Sequence, residues 1–555
     1  MGEVRIRNIQ EEDVQGVIDL YRAVYGDDFP FREFYDAGWV KRGVFSSEII
    51  WIVAEREDRR LLGSAAVLLN AADRDDLVGE FGRLVVHPDA RSLDLGTRLV
   101  QAQIDYSQSF IEYAFAECRT AHVGAQKICT RLGFGVTGFE PHAYQFGPSR
   151  ESVVYVSRLL GNARRLRKNN PRVIPEVHAI GSLALQNCGL DDDLIVEQGV
   201  DPYPVSDSRE YELADLQDTQ VYRLLRLDSN RAGGSLVFGS MRLEYGFLRL
   251  KAHDARYTVL QRGRSLAGGI GYTWDEMDRK VRLFELIAVD DLARGTLLEH
   301  GLAQLERLYD PAYVAIDVSA HAPRLQQTLA LLGFSAVAYA PSMVYEAGER
   351  LDVVKMAKLR MPLRVEQAQL IDPAREAMHR VAQSVAEKAR GVSVEAVARR
   401  VKIFDGLTDL QYGRVREICR EVPYEAGEPV VVRGSTDRSL FIILGGAVEI
   451  RLDGGPGHVA TIGPGEVFGE LALIDGLPRS ATAVCGQRAR LIQITQEDFH
   501  ALTRRDPALG MVIYRNLARS VGQRLREANL RFEERLATLK SQLSDEGQSA
   551  AGGGR

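Results

Sequence analysis

A chain of 555 residues exceeds what one hydrophobic core serves and implies about three to four domains. Its 45% hydrophobic and 26% charged content is that of a folding globular protein, which excludes collagen, coiled coil and global disorder. A net charge of -6 supplies no overall basic field, which argues against nucleic-acid binding as the main task.

The chain opens with an alternating strand pattern, VRIRNI. An acidic helix start at Glu11, Glu12 and Asp13 and an apolar-periodic helix through Val17, Leu20 and Val24 follow. Strands are predicted at IIWIVAE, LLGSAAVLL and EFGRLVV, with a helix from Thr97 to Phe115. A second series comes later: strands YTVLQR, LAGGIGYTW and KVRLFELIAV, a helix near Leu297–Leu308, a strand YVAIDV and a helix ending LALLGF. The first series ends its corresponding helix KICTRLGF. The L-G-F triplets at Leu132–Phe134 and Leu332–Phe334, set in the same order of elements, point to a duplication.

Between the copies, GLDDDLIVEQGVDPYPVSDSRE is rich in acidic and turn residues and is expected to be a loop connector. Arg164, Arg165, Arg167 and Lys168 read as a solvated helix end. AREAMHRVAQSVAEKARGVSVEAVARRV reads as helices able to act as a lever, and the tail GQSAAGGGR is expected to be disordered. The fold class expected is α/β (α+β) in tandem, followed by an antiparallel β-roll with flanking helices. The boundaries are a first domain at 1–160, a connector at 161–218, a second copy at 219–355 and a helical linker at 356–400. A β-roll at 401–500, a C-terminal helix at 501–545 and a tail at 546–555 complete the division.

Five scattered cysteines, Cys118, Cys129, Cys188, Cys419 and Cys485, form no metal-ligand spacing, so no metal is expected. Sparse thiols and a start, MGEVRIRNIQ, without an apolar run lead to the expectation of a cytoplasmic protein. No apolar stretch reaches the ~18 residues a membrane span needs, so no membrane segment is expected.

In the first copy, the strand EFGRLVVHP runs into ARSLDLGTRLV, a turn that opens a helix. A pyrophosphate is held by backbone amides approaching closely at such a helix start, and Gly96 permits that approach. The whole pattern, E-x-x-R-L-V-V-H-P-x-x-R-x-x-x-x-G-T followed by a strand and H-x-x-A-x-x-x-C-x-x-x-G-F, resembles the GNAT N-acetyltransferase superfamily. The resemblance implies an acyl-CoA cosubstrate, most simply acetyl-CoA. It would be held by Leu84, Val85 and Val86 of the strand and by Arg91, Ser92, Leu93, Asp94, Leu95, Gly96 and Thr97 of the loop. Asp94 replaces that loop's first glycine. Acyl transfer to an amine needs a base for the amine and an acid for the leaving thiolate. The resemblance places Glu80 as base and Cys129 as acid, with His122 at the family's asparagine; a strand-end Glu80 and a core-packed Cys129 are the bland alternatives, and His87 and His122 read as turn and cap residues. In the second copy, FELIAVDDLARGTLLEHGLA keeps only Arg294-Gly295 of the loop. It is therefore expected to be a degenerate partner domain, whose Glu285 is a second carboxylate candidate and whose work is to wall off a substrate groove or carry a signal.

Near the C-terminus, short strands are separated by Gly427, Gly434 and Gly445-Gly446, the pattern of a small antiparallel roll. GPGEVFGELALIDGLPRSATAV then sets Gly469 and Glu470 at the start of a short helix, with Arg479 following. A cyclic phosphodiester requires a cation, an acceptor for its ribose hydroxyl and backbone donors. Arg479, Glu470 and the amides of Leu471 and Ala472 supply these. F-G-E-L-A-L-x-x-x-x-P-R-S-A resembles the phosphate-binding cassette of the cyclic-nucleotide-binding domain family over about 401–526. The resemblance implies nucleotide contacts at Gly469, Glu470, Leu471, Ala472, Arg479, Ser480 and Ala481. The R-S-A order is similar to bacterial cyclic-AMP sensors, while the Ser480 hydroxyl leaves cyclic GMP open. The stripe Val521, Leu525, Ala528, Phe532, Leu536, Leu539 and Leu543 has three uses open to it: capping the base, pairing with a second copy as a homodimer, or packing on its own roll. No helix-turn-helix follows, so DNA is not an expected partner. Together the resemblances imply an N-acyltransferase regulated by cyclic AMP through the 356–400 helices, acting on an amine of a protein lysine or a small molecule. The alternative is a non-catalytic sensor or scaffold.

Overall fold

The apolar run LLGSAAVLL is buried along most of its length and IIWIVAER through its centre, as strands must be when both faces of a sheet are covered. The computed structural model describes residues 3–26, 32–69, 76–146, 149–206, 211–216, 224, 227, 236–238, 255–398, 401–451, 458–523 and 525–526. They form two compact units, Met1–Lys388 and Ala389–Arg555.

The first unit begins with β1 (Val4–Asn8), α1 (Val14–Tyr25) and α2 (Ala37–Val44). Three antiparallel strands follow: β2 (Ile49–Arg56), β3 (Leu61–Leu69) and β4 (Val78–Val86). Then come α3 (Leu95–Ser107), β5 (Tyr113–Arg119), α4 (Gly124–Arg131), β6 (Gly135–Phe146) and β7 (Ser149–Leu159). The predicted helix to Phe115 is therefore too long. Phe110 and Ile111 turn back onto the Ser107 carbonyl, and Tyr113 already pairs with Val78 in the sheet.

The connector expected at 161–218 carries α5 (Ala163–Leu166), β8 (Arg172–Val173), α6 (Pro175–Asn187) and β9 (Ile195–Val196), while the stretch 189–210 expected to be loop is loop over its described residues apart from β9. Arg167 is not solvated: it is buried, bonded to Asp193 at 2.8 Å and to Asp352 at 2.6 Å. The remaining strands are β10 (Glu212–Asp215), β11 (Val237–Phe238), β12 (Arg256–Arg262), β13 (Ser265–Asp275), β14 (Lys280–Ala288), β15 (Tyr313–Ser319), β16 (Ser335–Glu346) and β17 (Glu349–Leu359).

All of these except β8 and β9 join one 15-stranded sheet in the order β1-β2-β3-β4-β5-β7-β6-β16-β17-β15-β14-β13-β12-β10, with β11 on β15. Outward from its centre, β6-β7-β5-β4-β3-β2 on one side repeats as β16-β17-β15-β14-β13-β12 on the other. In each half one neighbouring pair, β4·β5 and β14·β15, is parallel. The halves meet where Gly138 faces Ala338. A Cβ on Gly138 would stand 2.1 Å from that of Ala338, so only glycine lets the strands approach. Helix α6 packs across the junction on β6 and β16, and Asn187 Nδ2 donates to the Val136 carbonyl at 2.8 Å. A helix Asp372–Ala398 follows. Its start is fixed to the same core by buried Ala374, Ala377 and Val381, and by an ion pair of 2.8 Å from Lys388 to Glu176.

The second unit holds β18 (Arg420–Tyr424), β19 (Pro429–Val431), β20 (Leu440–Gly445), β21 (Val448–Arg451), β22 (His458–Ile462), β23 (Val467–Phe468), β24 (Thr482–Cys485) and β25 (Ala489–Ile494). They form two four-stranded antiparallel sheets, β18-β25-β20-β23 and β19-β24-β21-β22, around Phe441, Ile443, Val448, Phe468 and Leu491. This is the antiparallel roll anticipated from its glycine-punctuated short strands. Helix 507–523 packs Leu509, Ile513 and Leu517 onto the roll, and Leu525 is exposed. The expected stripe from Ala528 to Leu543, and the tail, lie outside the described residues. A cleft of 920 Å³ lies between that helix, the Val401–Gly406 segment and the roll, lined in part by Leu444, Arg515, Asn516 and Arg519. Among the described residues no helix is long and apolar enough to cross a membrane.

Candidate active site and nucleotide cradle

Strands β4 and β5 pair only from Val78–Glu80 to Tyr113–Phe115, although both continue, to Val86 and Arg119. Beyond Glu80 they part. The edge of β4 that carries Leu84, Val85 and Val86 makes no ladder with β5, which leaves backbone groups to receive an extended, amide-bearing chain. A bulge shapes this edge: Arg83 is left-handed at φ 53°, and Tyr21 donates its hydroxyl to the Arg83 carbonyl at 3.2 Å.

The loop after β4 is a 3-10 turn, Pro88–Leu93, that leaves Arg91 and Ser92 exposed and Leu93 half-buried. Asp94 then turns left-handed, φ 49°, and α3 starts at Leu95. The backbone thus keeps a conformation glycine favours, and an aspartate holds it. The Asp94 carboxylate accepts from Thr97 Oγ1 at 2.7 Å and faces Arg131 at 3.6 Å. Gly96 answers a packing need: a Cβ there would meet Ile128 Cδ1 at 2.8 Å. The loop therefore fits a pyrophosphate in shape, and Arg131 offsets part of the charge Asp94 adds.

Register pairing sets Glu80 and Glu117 on one face of the sheet, since Glu80 pairs with Phe115 and Glu117 lies two residues on. Glu80 is ion-paired to Arg83, and Glu117 accepts from the Tyr144 hydroxyl. Burial, and then the Glu140 and Glu80 carboxylates, raise Glu117 above its ordinary value. Cys129 is on the other side. Its Sγ is 3.9 Å from that of Cys118, both thiols are buried in the core under α3 and α4, and Cys118 alternates away from Glu117 on β5. The structure does not bring Cys129 to Glu80 and packs it in the core, as the bland alternative had it. The residue overlooked in the sequence is Glu117. The alternation Tyr113, Phe115, Glu117 carried its signal, hidden by the overlong helix.

In the second unit, Gly469 is left-handed, φ 83°, and opens the helix Glu470–Asp475. A Cβ there would fall 2.4 Å from Arg479 NH1 and 2.7 Å from the Ser439 carbonyl, so glycine is what lets the arginine lie in the cradle. Arg479 is 5% exposed, so it is a buried cation rather than a surface charge. Its guanidinium donates to Asp437 at 2.5 Å, to the Ser439 carbonyl at 2.6 Å and to the Gly469 carbonyl at 3.2 Å, while its buried Nε has no hydrogen-bond partner. Glu470 and Ala472 are buried beside it; Leu471 and Ser480 are exposed and Ala481 is half-buried. The predicted cradle residues thus converge on one turn, and they fit a cyclic phosphodiester at the buried Arg479. Asp437 enters without any spacing that marked it.

Two stretches of the chain match models of known domain families. Residues 14–134 match the model of the acetyltransferase (GNAT) family, and residues 421–506 match that of the cyclic nucleotide-binding domain, so the chain joins one to the other. Among curated proteins it is similar to the cyclic AMP receptor protein of Thermus thermophilus, 33% identical over 134 residues, 24% of this chain and 60% of that protein. It also resembles glutaminase 1 of Bradyrhizobium diazoefficiens, 29% identical over 131 residues, 24% of this chain and 21% of that one. The chain thus spans less than two thirds of the length of these relatives. A solved structure, the Thermus thermophilus catabolite activator protein, is 32% identical, with 24% of this chain and 62% of that chain covered and a TM-score of 0.22.

Proposed function

We propose that the protein is an N-acyltransferase that uses acetyl-CoA and is regulated by cyclic AMP bound in the C-terminal roll. The observation that carries the reading is the parted pair β4·β5 with two carboxylates, Glu80 and Glu117, on one face at its mouth. The unpaired edge at Leu84–Val86 and the α3 loop at Arg91–Thr97 bind the acyl-CoA, whose thioester supplies an activated acyl carbon. The acceptor nitrogen bonds to that carbon and the carbon–sulfur bond breaks. The ammonium loses two protons, one through Glu117 to water and one to the departing thiolate. Glu80 holds Arg83, and Tyr144 orients Glu117.

Cyclic AMP places its phosphate on Arg479 and the amides of Leu471 and Ala472, and its ribose on Glu470, with Ser480 and Ala481 alongside. The name of the Thermus thermophilus relative supports cyclic AMP as the effector. The helix Asp372–Ala398 is the element that carries the signal, because a ligand acts only through different affinity for two states. Thiol release from acetyl-CoA over an amine panel, with and without cyclic AMP, tests the reading. Turnover is expected; acetyl-CoA that binds and is never consumed sinks it. A scaffold that has lost catalysis is favoured by one observation, the Asp94 carboxylate in the pyrophosphate loop.

A further inference from the structure

We propose that Arg282 of the second sheet half binds a carboxylate on the acceptor, so that the acceptor is a small molecule carrying an anion beside its amine. The proposal rests on the acyltransferase reading and deepens it.

The duplicate register gives Arg282 its place. Glu80 pairs with Phe115 in the first half, and Arg282 pairs with Ala315 in the second, so a cation stands where the first half has its carboxylate. Strand alternation puts Arg282 on the same face as Lys280. The Lys280 Nζ lies 4.9 Å from the centre of the Tyr144 ring, and the Tyr144 hydroxyl is bonded to Glu117. Arg282 of one half therefore shares a site with Glu117 of the other. Arg282 is exposed, and Tyr144, Asp317, Glu117 and Glu140 are its electrostatic neighbours.

The other charges around it are matched. Arg83 holds Glu80, Lys355 lies 3.2 Å from Asp317 and 3.7 Å from Glu140, Lys280 lies 3.8 Å from Glu140, and Arg119 holds Glu151 at 2.7 Å. Among the described residues Arg282 makes no ion pair or hydrogen bond, and Glu117 has only the Tyr144 hydroxyl. One cation and one carboxylate are left without an ion-pair partner among the described residues, close enough to act on each other electrostatically. A zwitterion complements that pair: its ammonium meets Glu117, and its carboxylate meets the fork of Arg282, which suits a planar anion better than a lysine would. A lysine within a peptide carries no carboxylate on the carbon that bears its side-chain amine.

The test uses the full-length protein with acetyl-CoA. The standard L-amino acids are compared with tryptamine, phenethylamine, cadaverine and a lysine peptide by thiol release, and their binding is measured by calorimetry. An amino acid is expected to exceed its decarboxylated partner by about tenfold or more in kcat/KM, the effect of one charge-assisted bond. Arg282→Met is expected to erase that preference mainly through KM, and Arg282→Lys to restore part of it. Equal use of carboxylate-free amines, unchanged by Arg282→Met, overturns the proposal. Amino-acid binding that depends on Arg282 without any turnover upholds the anion site and counts against the acyltransferase reading. Absence of amino-acid binding together with turnover on the lysine peptide overturns the anion site alone.

Discussion

Arg350 and Asp76 lock the two sheet halves together: Arg350 NH2 donates to the Asp76 carbonyl at 2.7 Å, and the Tyr345 amide donates to the Asp76 carboxylate at 2.7 Å. The duplicate answers in reverse. Arg150 NH1 donates to the Asp278 carbonyl at 2.7 Å, and the Gln145 amide donates to the Asp278 carboxylate at 2.7 Å. Each hairpin β6–β7 or β16–β17 thus grips the turn of the opposite half, a two-fold arrangement built within one chain.

The two clamps differ in burial, and their loss should differ accordingly. Arg350 is fully buried and also donates to the Ser342 and Met343 carbonyls, so Arg350→Met strands several buried acceptors. A loss of about 3 kcal/mol or more is expected in denaturant unfolding of the first unit. Arg150→Met should cost less, because Arg150 is only half-buried. Equal losses would show that burial does not set the strength of the clamp.

Glu117 gives the transfer reaction its pH dependence. Burial raises it above its ordinary value, so the base form appears only as pH climbs through that raised value, and the rate should rise on the acid side at a pH above the usual carboxylate range. Glu117→Gln should remove this limb and lower kcat by about 100-fold or more. A profile unchanged by the substitution would assign the proton to another group.

Asp437 sits below its ordinary value: burial would raise it, but the hydrogen bonds from Arg479 and Ser439 outweigh burial. A depressed carboxylate stabilises the folded state above its unfolded value of about 3.9, and that contribution is lost as pH falls through the folded value. Asp437→Asn should therefore flatten the decline of the roll's Tm below about pH 4. A decline as steep as that of the parent protein would mean that the Arg479 contact adds no stability.

The elements were legible where periodicity was strong. β2, β3 and the strands of the second copy were readable from apolar runs and alternation, and the cradle turn from Gly469, Glu470 and Arg479. What pairs across long sequence separations was not. Nothing local shows that Gly138 meets Ala338, that Asp437 grips Arg479, or that Arg282 shares a face with Glu117, because these neighbours are set by tertiary packing. The buried helix α6 hid for a different reason: the acidic, turn-rich run that follows it from Gly189 dominated the composition of the connector.

Asp94 can be tested at the loop itself. Its left-handed backbone suits glycine, so Asp94→Gly should preserve the fold, remove a negative charge from the pyrophosphate site and tighten acetyl-CoA binding in calorimetry. Affinity unchanged by this substitution would remove the loop from the acyl-CoA site, and absence of acetyl-CoA binding by both proteins would favour the scaffold.

Coupling between the nucleotide and acyl transfer is read most directly by thiol release from acetyl-CoA, with and without cyclic AMP, in the parent protein and in Arg479→Glu. Cyclic AMP is expected to change the rate of the parent and to leave that of Arg479→Glu where it was. Nucleotide binding seen by calorimetry in the parent, with one and the same rate in its presence and absence, would contradict the account.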